Sequence, residues 1–466
     1  MKTLPQKLDN RSGNLIILGV VLSILTYWLF AQTFLNLSND LQNTFHTTQG
    51  VLNLAISLTS LITGIFMVAS GNLSDRIGPA KMIFIGIILS IVGSLLVILT
   101  TNEYIMLTGR VIQGFSAASL MPSTISLFSL LFEGDKRRNA LSWWSIGAFG
   151  GTGFASLFAG LISTYFDWQL VFIISIAFAV LGLILLIRLK NIELPKIDSS
   201  GRFDLIGLLL FTIVLAALSI LITQGNTMGW LSIPALAMMA IVILGAIIFY
   251  IYEQKQTTPF IDFSLFGNKS YTGVVASNFL LNMSVGSIAV FNIFAQSNLG
   301  LSPFQSGIVT LPYVIFLLLL VKVGEQSIKK YGAKQALVMA PLLLAVGVAL
   351  MSLTFLHGWT YIIVAAVGFV FFGAGVGLFA TPALDTAISS LPKDKTGIAS
   401  AIFKMASTLG QGFGIAILVS LFTIFKGQMG IEWGALTTFG INFVIVILAA
   451  LFAKAFIPKK LYKDVS

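Results

Sequence analysis

Apolar runs of about 20 residues, each long enough to cross a hydrocarbon core of roughly 30 Å as a helix, recur from Leu15 almost to the C-terminus of this 466-residue chain. With 9% charged residues and a mean hydropathy of +0.96, the chain has too little polar side chain to coat a soluble surface of that size, so lipid is its main solvent. Dividing the runs at their polar breaks predicts an all-α, polytopic protein of about fourteen spans. They lie near 14–35, 51–71, 82–100, 104–130, 140–163, 169–188, 204–223, 231–252, 271–295, 305–324, 335–355, 360–388, 397–425 and 432–455. The first run is longer than a signal-peptide core and no Ala-x-Ala-like cleavage site follows it, so it reads as helix 1.

Charge tests the division independently. One set of connecting segments carries Arg76 and Lys81, Lys136 to Arg138, Arg188 to Arg202, Lys255 and Lys269, Lys329 to Lys334, and Lys393 and Lys395. The alternate set carries Asp40, His46, Glu103, Asp167, His357 and Glu432, with Lys426 as its clear cation. Basic loops face the cytoplasm, so this alternation requires an even number of crossings and puts both termini on the cytoplasmic side of a bacterial cytoplasmic membrane. The net charge of +10 is then loop charge, with no nucleic-acid partner implied. Polar stretches at 190–202 and 253–270 bracket two helices. The expected division is therefore 6 + 2 + 6: an N-terminal bundle over 1–190, a central pair with its linkers over 191–270, and a C-terminal bundle with a basic tail over 271–466. Within the second stretch, Phe260, Ile261, Phe263, Leu265 and Phe266 beside Asp262 and Lys269 predict a short segment lying at the membrane surface.

The turn after span 2 reads Gly71-Asn72-Leu73-Ser74-Asp75-Arg76-Ile77-Gly78, with Lys81 three residues on, and span 4 carries Arg110, Gln113, Gly114, Ala117 and Ala118. The first resembles the G-x-L-a-D-R-x-G signature of the major facilitator superfamily, and the second its R-x-x-q-G-x-x-a-A motif. With Pro259-Phe260-Ile261-Asp262 and Gly397-Ile398-Ala399-Ser400 followed by Gly410 and Gly414, the chain is most similar to the fourteen-helix drug:proton antiporters, in particular the staphylococcal Nor-type quinolone and multidrug pumps. The resemblance covers nearly the whole length. It implies a major-facilitator fold and export of amphipathic drugs such as quinolones, dyes and quaternary cations. It also implies proton antiport by alternating access, with no cofactor beyond the proton gradient. The partners expected are small amphipathic substrates, protons and the lipid bilayer, and the working unit a monomer.

The resemblance assigns Gly71, Asp75, Arg76 and Gly78 to a latch on the cytoplasmic side. There the two glycines permit close helix approach and Arg76 can pair with an acid such as Glu133 or Asp135. Arg110 reads in two ways: as the family's proton-linked arginine in a polar niche, or as a residue whose stem lets its head reach the outer interface. Span 5 offers Gly151, Ser156 and Gly160 in the register of an antiporter signature whose proline is here Ser156, so the packing is encoded but the kink is not. Where such antiporters carry a helix-1 aspartate, this chain has Ala31. Proton coupling then falls to Asp385, paired with Lys404 at similar depth as an ion pair that protonation of the acid breaks, or to Asp40 or Glu325. A static ion pair serves solvation equally well. A cavity for flat amphiphiles would be walled by Tyr27, Trp28, Gln32, Phe34 and Asn36 on helix 1, Gln113 on span 4, Asn278, Asn282 and Asn292 on span 9, and Tyr313 on span 10.

The missing helix-1 carboxylate also suits a major-facilitator exporter or flippase of an endogenous lipid, glycolipid or metabolite. An enzyme is the weakest reading. The chain has no cysteine and two histidines without metal-ligand spacing to any partner, and it lacks a G-x-x-x-x-G-K-[ST] phosphate loop. No metal site is expected.

Overall fold

The computed structural model describes residues 10–36, 38–47, 49–187, 189, 203–392 and 395–458, and among them the regular structure is helical. The N-terminal part comprises α1 (Asn10–Asn36), the short α2 (Ser38–Phe45), α3 (Gln49–Ile77), α4 (Pro79–Ile98), α5 (Glu103–Leu131), α6 (Gly134–Tyr165) and α7 (Gln169–Leu186). A hairpin of α8 (Leu205–Met228) and α9 (Ile233–Glu253) follows. The C-terminal part comprises α10 (Lys269–Met283), α11 (Gly286–Asn298), α12 (Pro303–Tyr331), α13 (Ala333–Met351), α14 (Gly358–Ser389), α15 (Thr396–Met429) and α16 (Ile431–Phe456). Among the described residues, twelve helical stretches are long and apolar enough to cross a membrane, α10 and α11 together forming one of them. The sequence reading of fourteen is larger by α3 and α6, helices of 29 and 32 residues that are not among the twelve.

The two parts repeat one plan. α3 passes into α4 through Gly78 (φ 96) and α12 into α13 through Gly332 (φ 80). Each is a one-residue turn in the left-handed region that favours glycine. At the same interval beyond each turn stands a glycine, Gly93 or Gly347, against a glycine of the next helix, Gly109 or Gly368. A Cβ on any of the four would lie 2.5–2.9 Å from the opposing glycine's carbonyl oxygen. Backbones this close gain van der Waals contact, which drives helix association in lipid.

The alternating loop charges are gathered at opposite ends. At the basic end, Lys334 Nζ donates to the Lys454 carbonyl (2.7 Å), Asn268 to the Ser390 carbonyl (2.6 Å), and Lys395 pairs with Asp262 (2.8 Å). At the other end, Thr47 donates to Glu103 (2.6 Å) and Thr354 to the Glu432 carbonyl (2.7 Å).

The α8–α9 hairpin lies along the seam, with α8 against α3 of one half and α15 of the other. α9 turns Ile243, Leu244, Ile247 and Ile248 outward, each at least half exposed, the pattern of a lipid-facing helix. The segment after α9 differs from the surface-lying expectation: Phe260, Ile261 and Leu265 are buried in protein, with Phe260 against Phe211 of α8 (5.5 Å between centroids). Glu253 explains the tuck, because its Oε2 accepts the Ile261 backbone N–H (3.1 Å) and pulls the chain back under the hairpin. Asp262 then anchors the turn. Although partial burial opposes it, the Lys395 ammonium and the Ser264 hydroxyl and amide hold the Asp262 carboxyl below its ordinary value. A depressed carboxylate stabilises the fold above its unfolded pKa of about 3.9 and loses that contribution as pH falls through the folded value. Asp262→Asn should therefore melt below the wild type at neutral pH, by no more than about 1 kcal/mol for a pair this exposed. The gap should close as pH drops below about 4, as read by paired melting curves in detergent.

Candidate functional site

Halfway along the bundle the two parts enclose a cavity. From the N-terminal part come Tyr27 and Trp28 of α1, Met121 of α5 and Ala148 of α6. From the C-terminal part come Asn282 and Val285 around the α10–α11 break, Tyr313 of α12 and Val376 of α14. Lys404, Ser407, Thr408 and Gln411 of α15 complete the wall. In this conformation the space between them is about 20 Å³, room for one or two waters.

The break that brings Asn282 to the wall was read from sequence as one continuous span. The chain tightens there into i→i+3 bonds, Ser284 N–H to the Leu281 carbonyl (3.2 Å) and Val285 N–H to the Asn282 carbonyl (3.1 Å). Gly414 allows it: a Cβ on that residue would stand 2.0 Å from the Met283 carbonyl oxygen. Interrupted helices at a midplane are where membrane transporters place their sites. Behind the wall, Asn278 binds α10 to α15 by donating to the Phe403 carbonyl (2.9 Å) and Ser407 Oγ (2.7 Å), and Asn282 donates to Asn278 Oδ1 (3.0 Å). Lys404 places its Nζ 5.0 Å above the ring of Trp144, whose indole N–H is fixed by Thr124 (2.8 Å). Trp28 packs edge-on against Tyr27 (4.8 Å), and its indole nitrogen is buried without a hydrogen-bond partner among the described residues.

Arg110 is fully buried, so its head does not reach an interface. Nε donates to the Ala55 carbonyl of α3 (3.1 Å), and one terminal nitrogen donates to the Phe30 carbonyl of α1 (2.7 Å) and to Gln113 Oε1 (2.8 Å). The Phe34 ring covers the guanidinium at 4.3 Å. Phe34 and Gln113, expected in the cavity wall, thus serve Arg110 instead, Gln113 passing its own N–H to Ser94 (3.3 Å).

The basic end is closed by ties between the two parts. Asp75 is buried at the first turn of α15, its carboxylate against Gly397, where a helix N-terminus favours an anion. Gly71 packs on Ala401 of the same helix. Arg137 of α6 pairs with Asp385 of α14 at 3.2 Å and reaches Ser389 at 3.3 Å. Lys322 of α12 donates to Asn139 Oδ1 (2.7 Å) and lies over the Trp143 ring (5.1 Å). Arg76 is exposed, and Asp135 pairs with Arg138. Glu325 pairs with Lys322 along its own helix at 3.3 Å.

Sequence reasoning had Arg137 only as loop charge. Its run of charges hid that α6 already begins at Gly134. Asn292 lies on α11 and is not among the residues that line the cavity. The side chains of Gln32, Asn36, Asp40, Gly151, Ser156 and Gly160 lie outside the described residues, as do the loop cations Arg188, Lys190, Lys196, Arg202 and Lys393.

Two repeated helical bundles in a membrane, joined around a midplane cavity and tied at one end, define a transporter rather than an enzyme. The chain belongs to the Major Facilitator Superfamily, whose profile matches residues 16–415. Its relatives include the quinolone resistance protein NorB of Staphylococcus aureus strains MRSA252 and COL, each 40% identical over 456 residues that cover 98% of both chains. The crystal structure of the human organic anion transporter MFSD10 (TETRAN) superposes with a TM-score of 0.67 at 14% identity, over 96% of this chain and 100% of that one. That similarity is one of fold.

Proposed function

We propose that this protein exports amphipathic drugs, quinolones among them, from the bacterial cytoplasm by proton antiport, its two six-helix bundles rocking about the central cavity. The observation that carries the reading is the cavity itself, aromatic and polar with Lys404 as its charged member, shared by both parts and shut at one end by separable polar ties. NorB, similar along almost the whole chain, is named for quinolone resistance. We count α3 and α6 as crossings as well, which makes fourteen. At about 1.5 Å per residue each exceeds the roughly 30 Å of hydrocarbon, and both pack lengthwise on neighbouring helices. The basic end is then cytoplasmic, and the tied state is closed to the cytoplasm. The bundles divide at about 190 and 270, with the α8–α9 hairpin between them, and the working unit is the monomer.

Coupling resides in the tie between Arg137 and Asp385. A proton on the Asp385 carboxylate removes its charge and with it the ion pair, freeing α6 from α14. When the proton leaves, the pair re-forms and closes the cytoplasmic end. Interactions of this kind contribute ~1–3 kcal/mol each. A full population reversal takes about 5.5 kcal/mol, so losing one of three ties is a substantial bias without being irreversible.

Proteoliposomes with an acid lumen and the basic end outward should accumulate a quinolone or dye, and a protonophore should stop it. Persistence of transport after the gradient collapses would remove antiport from the reading. In Asp385→Asn, gradient-driven uptake should fall about tenfold or more while substrate–substrate exchange continues. Full gradient-driven uptake in this variant would move coupling elsewhere.

A further inference from the structure

The cavity wall specifies the charge of what it holds. Among the described lining residues one is charged, Lys404, and none is acidic. Trp28, which α1 of the N-terminal part brings to the same cavity, is 5% exposed and has a buried indole N–H with no acceptor among the described residues. A buried donor left without an acceptor carries a desolvation cost until one arrives. Around these two donors stand the rings of Tyr27 and Tyr313 and the aliphatic groups of Met121 and Val376, surfaces for a flat apolar body.

We infer that Lys404 and Trp28 form an anion-recognising pair that selects amphiphiles carrying a carboxylate on an aromatic body over permanently cationic ones. This rests on the export reading and narrows it. A carboxylate has two oxygens and accepts from both an ammonium and an indole N–H, each a charge-assisted bond. A quaternary ammonium has no acceptor for either donor and meets Lys404 as a like charge. Lys404 is also held where it can do this. Asn278 and Ser407 fix α15 against α10 at 2.7–2.9 Å, and the Trp144 face lies 5.0 Å beneath the ammonium, so the charge is aimed by its surroundings. Quinolones, with a carboxylate on a fused aromatic ring, fit this class; their esters and the lipophilic cations do not.

The test is calorimetric binding of three probes to the full-length protein in nanodiscs: a fluoroquinolone, its carboxyl methyl ester, and tetraphenylphosphonium. The wild type should bind the acid about tenfold or more tighter than the ester, and the cation weakest. Lys404→Gln should weaken the acid by a similar factor and leave the ester unchanged, so that the preference collapses. Lys404→Arg should keep the preference, and it remains informative if the glutamine variant does not fold. Trp28→Phe, which keeps the ring and removes the N–H, should lower the acid-to-ester ratio in part. Equal binding of acid and ester by the wild type, or equal weakening of both in Lys404→Gln, overturns anion selection while drug export stands. Binding of none of the three probes overturns the export reading and the selection with it.

Discussion

Arg110→Ala is expected to destabilise the protein by several kcal/mol and to abolish transport, with Arg110→Lys only partly restoring stability. The guanidinium satisfies two backbone carbonyls on two different helices, Phe30 on α1 and Ala55 on α3, and the side chain of Gln113 on its own helix. Hydrogen bonds from a charged donor contribute ~1.5–3 kcal/mol each, and every acceptor left dry costs about 1–3 kcal/mol. Alanine removes all of these at once and opens a void beneath Phe34. A loss of about 4 kcal/mol or more belongs to the rare, large class of single substitutions. Lysine keeps the charge, but its single ammonium cannot reproduce a planar fork that reaches three acceptors. Transport fails because α1 carries Tyr27 and Trp28 into the cavity one turn from Phe30, and releasing α1 from α5 displaces both. Melting curves in detergent, with transport assayed below the lowered melting point, check the two effects separately. An alanine variant as stable as the wild type would show that the carbonyls find other donors.

How much of this was legible follows physical range. Helix positions depend on apolar runs in lipid, a local property, so α4, α5 and α7 fall where hydropathy put them. The two ends could be sorted because lysine and arginine mark one membrane face independently of the fold. The α10–α11 break could not be read. No proline lies at Met283 to Gly286, and the interruption depends on Gly414, a residue distant in sequence, admitting the Met283 carbonyl. Tyr27, Trp28, Asn282 and Tyr313 were readable as cavity wall because polar or amphipathic groups in a span must face protein. The same logic misplaced Phe34 and Gln113, since a buried guanidinium makes as strong a claim on a ring and an amide as a cavity does. Asp385 stood out as an acid at an odd depth and Lys404 as its expected partner, but the ion pair seen is with Arg137, 248 positions away, because such pairings are set by how the bundles dock.

Docking of the bundles also decides the second large effect. Gly397→Val should leave the protein folded, shift it away from the state closed at the basic end, and reduce transport severely. The carboxylate of Asp75 rests on the first turn of α15 so tightly that a Cβ at residue 397 would lie 2.3 Å from one oxygen and 2.4 Å from the other. A buried aspartate wedged between helices cannot yield that distance as a long flexible side chain could. The clash exists only while α3 and α15 are together, so valine destabilises the closed state and leaves the separated state untouched, a differential effect of the kind that moves a conformational equilibrium. A shift of about 3 kcal/mol changes the ratio of states more than a hundredfold. Because the chain has no cysteine, spin labels at Leu73→Cys on α3 and Gln326→Cys on α12, both exposed at the basic end, report the separation without background. In Gly397→Val their distance distribution should move to longer values. Adding Asp75→Ala should relieve the clash and return part of the short-distance population, though less than in the parent, because the anion that favours the α15 N-terminus is also lost. An unchanged distribution in the valine variant would mean that the contact between Asp75 and Gly397 does not hold the basic end shut.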